Sequence, residues 1–324
     1  MSIPTSRLTR ELVRTACLAP SVNNSQPWYF RLPADDRVEL YADRARQLTG
    51  VDSSGRDLVL SCGAALHHLV VAAGAFGLRA TVESLPRADD PDLLAVVRLS
   101  EGEITDADVD LLAALENRKT DRRGADSWPV PPARVQQLAD DASAWGADVA
   151  VITDSVAAAR AEELIETARQ SQLADPRAAA EQDAWVDRSP VDGIPGRIAD
   201  PSDHLAEHRP PSRYAPRATA PDPRGPHDDV LVAVCTVDDD VPAWLRAGQT
   251  MSALWLGATL AGLAMTPASQ VVEVESTRRL LQHDVLKGLL RPQVVLRVGW
   301  PAAVPGNPAV RHTPRRALDD VIRS

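Results

Sequence analysis

The chain has 324 residues, enough for one large or two ordinary domains, and a formal net charge of −10. That acidic balance argues against a duplex nucleic-acid partner, because a phosphate backbone demands a basic face. Its three cysteines, Cys17, Cys62 and Cys235, are isolated. They form neither a disulfide framework nor a CxxC pair, which fits a reducing, cytoplasmic location.

Residues 1–14 lack the basic-then-apolar pattern of a signal peptide. Residues 6–18 have helical spacing (Leu8, Leu12, Ala16) and are stopped by Pro20. Residues 28–32 and 38–41 read as a hairpin around 33–36. Residues 58–77 are apolar on nearly every face, and Gly77 stands at the end. This run is long enough to span a membrane. His67 and His68 lie in its middle, however, and no aromatic belt or basic flank frames it. It therefore reads as a buried core helix, with no membrane partner expected and Cys62 a small core residue.

Residues 94–99 read as a strand, and Thr105 can cap a helix over 106–117. Helices follow at 132–144 and 155–173, with a strand at 147–152 between them. A second helix, apolar on nearly all faces, covers 243–263, then a helix at 278–290 and a last strand at 293–298. Residues 186–229 differ in kind. They hold nine prolines and few aliphatics, which excludes a regular element. Such a stretch is a disordered linker or a lid over a site; it falls inside the second half of the chain, which favours the lid.

The two apolar helices are copies of each other. A slide of 185 positions lays Gly63 on Gly248, Leu66 on Met251, Leu69 on Leu254, Ala73 on Ala258, Gly77 on Gly262 and Leu78 on Leu263. Each is followed by a β-rich run ending in arginine and an aliphatic. The repeat divides the chain into related halves, 1–104 and 105–324, each built on one buried helix. Related halves pack about a pseudo-two-fold axis, and a site at that axis would draw residues from both.

Three clusters carry polar chemistry. Residues 19–30, APSVNNSQPWYF, set amides and hydroxyls between a helix and a strand. They form an ordinary turn or a loop that reads a flat heteroaromatic ring. Arg118-Lys119-Thr120-Asp121-Arg122-Arg123 is a solvated basic turn or a phosphate-binding one. Thr313-Pro314-Arg315-Arg316 is a second cationic turn.

Together these clusters resemble the FMN-dependent nitroreductase family, and most closely its Acg-like branch of long single chains. The family's Arg-x-Ser/Thr-x-Arg/Lys turn is matched by Arg118, Thr120 and Arg122. Its Pro-Ser-x-x-Asn-x-Gln-Pro-Trp loop is matched by Pro20, Ser21, Asn24, Gln26, Pro27 and Trp28. Its central Gly-Leu helix end and following Pro turn are matched by Gly262, Leu263, Pro267, Ala268, Ser269 and Gln270. Its cationic C-terminus is matched by Arg315 and Arg316.

The resemblance implies an α+β fold, a mixed sheet with flanking helices, built as an intramolecular pseudo-dimer and hence a monomer. It implies FMN held at the phosphate by Arg118, Thr120 and Arg315, with Arg316 in the same turn. Arg122 would lie near the pyrimidine, the backbone at Ser269 and Gln270, in the turn after Pro267, near N5, and Ser21 and Val22 on the ring from the other half. Gln270 stands where the family often has glycine. Only one of the two symmetry-related sites keeps its motifs, so one FMN per chain is expected.

The implied activity is NAD(P)H-dependent reduction of a small-molecule acceptor such as a nitro compound or quinone, with the flavin and no side chain as the catalytic group. The alternative is FMN storage beneath a lid. A structural module would leave the three motifs unexplained. His204–His208 spells H-x-x-E-H, but Pro201, Pro210 and Pro211 leave too little helix for a zinc site. His67 and His68 are adjacent and point about 100° apart on a helix, so no metal is expected.

Overall fold

The computed structural model describes residues 5–34, 36–122, 128–196, 229–301 and 312–323. It is an α+β protein with two four-stranded antiparallel sheets, where the resemblance implied one mixed sheet. The first sheet holds β1 (Trp28–Ala34), β2 (Arg37–Ala42), β3 (Leu78–Ser84) and β4 (Leu93–Glu101), in the order β1-β2-β4-β3. The second holds β5 (Asp148–Ile152), β6 (Val230–Thr236), β7 (Ala264–Pro267) and β8 (Arg291–Gly299), in the order β5-β6-β8-β7. Parallel pairing among the described residues is confined to isolated bridges, two of them Phe30 with Ile322 and Thr120 with Met265.

The halves share more than strand order. Thr81 on β3 faces Arg98 on β4, and Thr266 on β7 faces Arg297 on β8, so the register repeats as well. Helix α1 (Thr5–Ala16) precedes the first sheet, and α2 (Arg56–Ala75) joins β2 to β3. In the second half α3 (Asp106–Asn117) and α4 (Pro132–Ser143) lead into β5, while α5 (Ser155–Ala174) and α6 (Pro176–Ala184) lie between β5 and β6. Helix α7 (Val241–Leu260) joins β6 to β7 as α2 joins β2 to β3. The start of α3 is fixed by a capping box. Thr105 Oγ1 accepts from the Asp108 backbone N–H, and the Asp108 carboxylate accepts from the Thr105 N–H.

Helices α2 and α7 cross at the centre, and their composition dictates it. Both are apolar on nearly all sides and must be enclosed. At the crossing the backbones nearly touch. A Cβ on Gly63 would lie 2.2 Å from the Leu245 carbonyl oxygen, and one on Gly248 would lie 2.1 Å from that of Leu60. His67 Nδ1 and Ser252 Oγ meet at 2.9 Å. Gly63 and Gly248, which also meet there, and His67 and Ser252 are each separated by the same 185 positions as the repeat, so equivalent residues touch each other, as they do on a two-fold axis. Helix α2 is long and apolar enough to cross a membrane, but it is enclosed within the fold.

The structure differs from the sequence expectation in several strands and in one helix. Strands β3, β6 and β7 were not assigned there. The helix expected over 278–290 is replaced by the end of a short helix, a π-turn and the turns beyond it. Helix α8 (Gln270–Glu273) precedes α9 (Glu275–Leu280), which runs into a π-turn at Leu281–Val285; Lys287 and Gly288 then take left-handed φ of 60° and 79° and end it. Helix α10 (Leu318–Val321) carries the chain back to β1, where the Arg323 N–H donates to the Phe30 carbonyl.

Candidate functional site

A cleft opens between the halves beside the helix crossing. Half one contributes Pro20, Ser21, Val22 and Asn23 from the loop after α1, and Asp57, Leu60 and Ser61 from α2. Half two contributes the turn Thr120–Arg122, Met251 and Trp255 from α7, and the chain from Thr266 to Gln270. Val294 and Arg297 of β8 line the floor. Of the residues singled out in the sequence, the fold brings Pro20, Ser21, Val22, Thr120, Arg122, Pro267, Ser269 and Gln270 together here. Asn24, Gln26, Arg118, Arg315 and Arg316 stand outside the lining.

Asn24 and Gln26 have another task. Asn23, Asn24 and Gln26 take left-handed φ of 46°, 54° and 48°, a conformation that asparagine tolerates better than most residues. Side-chain bonds hold it. The Asn24 amide donates to the Gly193 and Pro314 carbonyls at 2.9 and 3.0 Å and accepts from Arg315 at 3.1 Å. The Gln26 amide donates to the Val191 carbonyl and accepts from the Arg316 N–H, both at 2.9 Å. These amides staple the C-terminal turn and the root of the Pro-rich segment to the loop, so their groups are spent before any ring could use them. Ser21 Oγ accepts from the Gln26 N–H and Ser61 Oγ from the Val22 N–H, which turns Ser21 and Val22 toward the cleft.

Behind the cleft two guanidinium groups converge on the end of α1. Arg315 donates to the Cys17 and Leu18 carbonyls at 2.9 Å, and Arg118 to Leu18 at 3.2 Å. The open carbonyls of a helix C-terminus attract such cations. Arg118 also stacks 5.0 Å from the Trp255 ring, whose residue lines the cleft. Its Nε and Nη1 have no hydrogen-bond partner among the described residues. Burial, with Arg315 and Arg122 nearby, lowers the Arg118 pKa to about 9; burial lowers that of Arg315 to about 10. Neither pairs with a carboxylate among the described residues. Arg316 is instead engaged with the Gln26, Trp28 and Asp320 carbonyls.

The side chain of Gln270 is tied down. Its amide donates to Gln172 Oε1 on α5, and the Gln172 amide donates to Glu273, both at 2.6 Å. Ser269 Oγ donates to the same Glu273 at 2.7 Å.

Sequence reasoning missed Asp57, Met251, Trp255, Asp229 and Arg297. Arg297 is buried and bound by both Glu162 oxygens at 2.5 Å, with Asp229 at 3.3 Å. A lone arginine in an apolar strand was the available signal.

Most of the proposed lid, residues 197–228, and the H-x-x-E-H motif at 204–208 lie outside the described residues. Its root is described. Ile194 is buried, Asp192 pairs with Arg46, and the Gly193 N–H donates to the Asn24 carbonyl. Asp229, at the far end, lines the cleft.

The geometry defines a class: a duplicated α+β chain with one cleft shared between its halves and buried cations behind it. No family model matches the chain. Individual relatives do. It is 35% identical over 324 residues to the Mycobacterium tuberculosis protein named "Putative NAD(P)H nitroreductase Rv3131", covering 98% of this chain and 92% of that one. It is 33% identical over 329 residues to "Putative NAD(P)H nitroreductase acg" from the same organism, covering 98% and 96%. The chain belongs to this NAD(P)H nitroreductase family.

Among solved structures, it is similar to a nitroreductase with bound FMN from Bacteroides fragilis. The match has a TM-score of 0.38 and 14% identity, and covers 62% of this chain and 94% of that one. A BluB-like flavoprotein from Clostridium difficile matches at a TM-score of 0.40 and 13% identity, covering 65% and 96%.

Proposed function

We propose that the cleft binds FMN and that the chain uses NAD(P)H to reduce a small nitro compound or quinone. The observation that carries this reading is the pair Arg118 and Arg315. Two cations are held in a region that penalises charge, with no compensating carboxylate among the described residues and two Arg118 nitrogens without a partner there. A buried charge of this kind is costly unless a ligand neutralises it, and a phosphate monoester suits the guanidinium fork. The apolar surfaces of Leu60, Met251, Trp255 and Val294 fit a flat ring, and Ser21 and Val22 close it from half one. When bound, FMN supplies the two-electron chemistry. The chain orients it, excludes water and places positive charge at Arg122 and behind Arg118.

Storage remains the second reading, because both described ends of the Pro-rich segment sit at the cleft: Gly193 on the loop and Asp229 in the lining. A cover anchored at both sides would restrict entry of a nicotinamide. Purified protein is expected to be yellow and to bleach when NADPH is added without air. A storage protein would stay yellow, and a colourless protein that takes up no FMN contradicts both readings. Arg118→Ala is expected to weaken FMN binding by about tenfold or more, because a charge-assisted bond contributes ~1.5–3 kcal/mol; fluorescence titration of the apoprotein checks this.

A further inference from the structure

We propose that Asp57 is the acid that protonates the acceptor reduced in the cleft. The inference rests on the reading of the cleft as an FMN reductase site.

Asp57 stands in the first turn of α2 and lines the cleft opposite α8. It is only 7% exposed. Its Oδ1 accepts from Arg56 Nε at 3.2 Å, while its Oδ2 is fully enclosed and has no partner among the described residues. No other enclosed carboxylate oxygen among them is left in this state. Elsewhere in the cleft Asp229 is paired with Arg297. An enclosed oxygen without a partner is costly, and a proton or a ligand atom relieves it.

The charges around Asp57 favour the proton. Burial raises its pKa most. Arg56 opposes the rise, and Asp52 and Glu273 add to it, so the carboxyl is pushed up to about 7. Asp52 is committed elsewhere, accepting from the Leu58 N–H at 2.9 Å, and Glu273 is held by Gln172 and Ser269. Arg122 and Asp121 face the cleft from the other half. Asp57 is thus the carboxyl placed both to hold a proton near neutrality and to meet a bound molecule, the pairing that general acid catalysis requires.

The chemistry balances. Converting a quinone to a hydroquinone takes a hydride equivalent and a proton. The hydride equivalent would come from NAD(P)H, which leaves as NAD(P)+, with FMN as the redox group the site would hold. The proton comes from Asp57: its carboxyl O–H bond breaks as an O–H bond forms on the acceptor oxygen. The carboxylate left beside Arg56 regains a proton from water.

The test separates the two half-reactions. FMN-loaded wild type and Asp57→Asn are reduced with NADPH without air, then mixed with a naphthoquinone while flavin absorbance is followed. The variant is expected to keep its flavin and its reduction rate within about twofold, while reoxidation by quinone slows by about 10²–10⁴-fold. In wild type, reoxidation is expected to fall as pH rises through neutrality, a result that needs no variant. Infrared spectra of the apoprotein supply a readout independent of turnover: a protonated carboxyl band that disappears as pH rises through neutrality and is absent from Asp57→Asn. Unchanged reoxidation in the variant, or a wild-type rate and carboxyl band indifferent to pH, overturns the assignment while FMN binding stands. Wild type that takes up no FMN overturns the functional reading and this one with it.

Discussion

Arg98 and Arg297 occupy the same place in the two sheets, each facing a threonine on the neighbouring strand, and their surroundings could hardly differ more. The Arg98 side chain is 60% exposed and sits 3.6 Å from Glu83 at the surface. The Arg297 side chain is 7% exposed and clamped by Glu162 and Asp229. The cause is the link between the first two strands of each half. In half one β1 ends at Ala34 and β2 begins at Arg37, leaving an outer face of Tyr29, Tyr41, Leu93 and Val96, with Arg31 and Arg323 stacked on the tyrosines. In half two the chain leaves β5 at Ile152 and returns at Val230, and on the way α5 packs Leu164 and Ile165 against Leu231 and Val295. One scaffold was built twice, and the connection rather than the sheet made the second copy part of a site.

The loops before the sheets show the same divergence. Half one has a long polar loop, with Ser21 and Val22 in the cleft. Half two has a tight turn, and its Trp145 packs edge-on against His67 with ring centroids 4.2 Å apart. The place where a second cleft would need an open loop is occupied by an aromatic contact.

The largest expected effect breaks the arginine pair. Arg297→Met leaves Glu162 and Asp229 without their cation and should cost about 3–5 kcal/mol in urea unfolding. Arg98→Met should change stability by less than about 0.5 kcal/mol. Similar losses from the two would mean that coverage by α5 is not the difference.

Next is Asp239, near the start of α7. It accepts from Arg278 at 2.8 and 2.9 Å and from Trp244 at 2.8 Å, where half one has Ser54 at the matching position. Burial alone would raise its pKa, but the bonds and charge of Arg278 hold it well below the usual carboxylate range. Its contribution is therefore complete above the unfolded carboxyl value and is lost as pH falls through the lower folded one. Asp239→Asn should cost about 1.5–3 kcal/mol at neutral pH, and that cost should shrink in acid.

The helix crossing tests the symmetry itself. Gly63→Ala and Gly248→Ala each drive a Cβ into backbone of the other half and should cost about 1–3 kcal/mol, by nearly equal amounts. Unequal losses would show that the axis is only approximate at its centre. A smaller loss is expected in the helix that half one lacks: Thr105→Ala removes half of the α3 capping box and should cost about 1 kcal/mol.

Much of this was legible. The 185-residue repeat aligned Gly63 with Gly248 and called for a pseudo-two-fold axis, and these glycines are where the two helices meet, although their contact was not itself read from the sequence. The Ser21 loop and the Thr120–Arg122 turn were brought to one cleft from opposite halves, as a pseudo-two-fold demands. Strand β3 escaped although Leu78, Ala80 and Val82 alternate with polar residues, because the turn at Gly77 masks its start. Strand β6 follows directly on the Pro-rich segment, and β7 has only four residues. The fates of Asn24, Gln26, Asp57 and Arg297 depend on segments distant in sequence that pack against them, and local pattern carries no record of those.

The central claim is that one cleft, shared by the halves, holds one FMN. Flavin released by denaturation, measured against protein concentration after reconstitution with excess FMN, tests it most directly. The account predicts a ratio near one for wild type and a sharply lower ratio for Arg118→Ala at limiting FMN. A ratio near two would show that half two kept a site behind Trp145, and a ratio near zero would contradict FMN binding altogether.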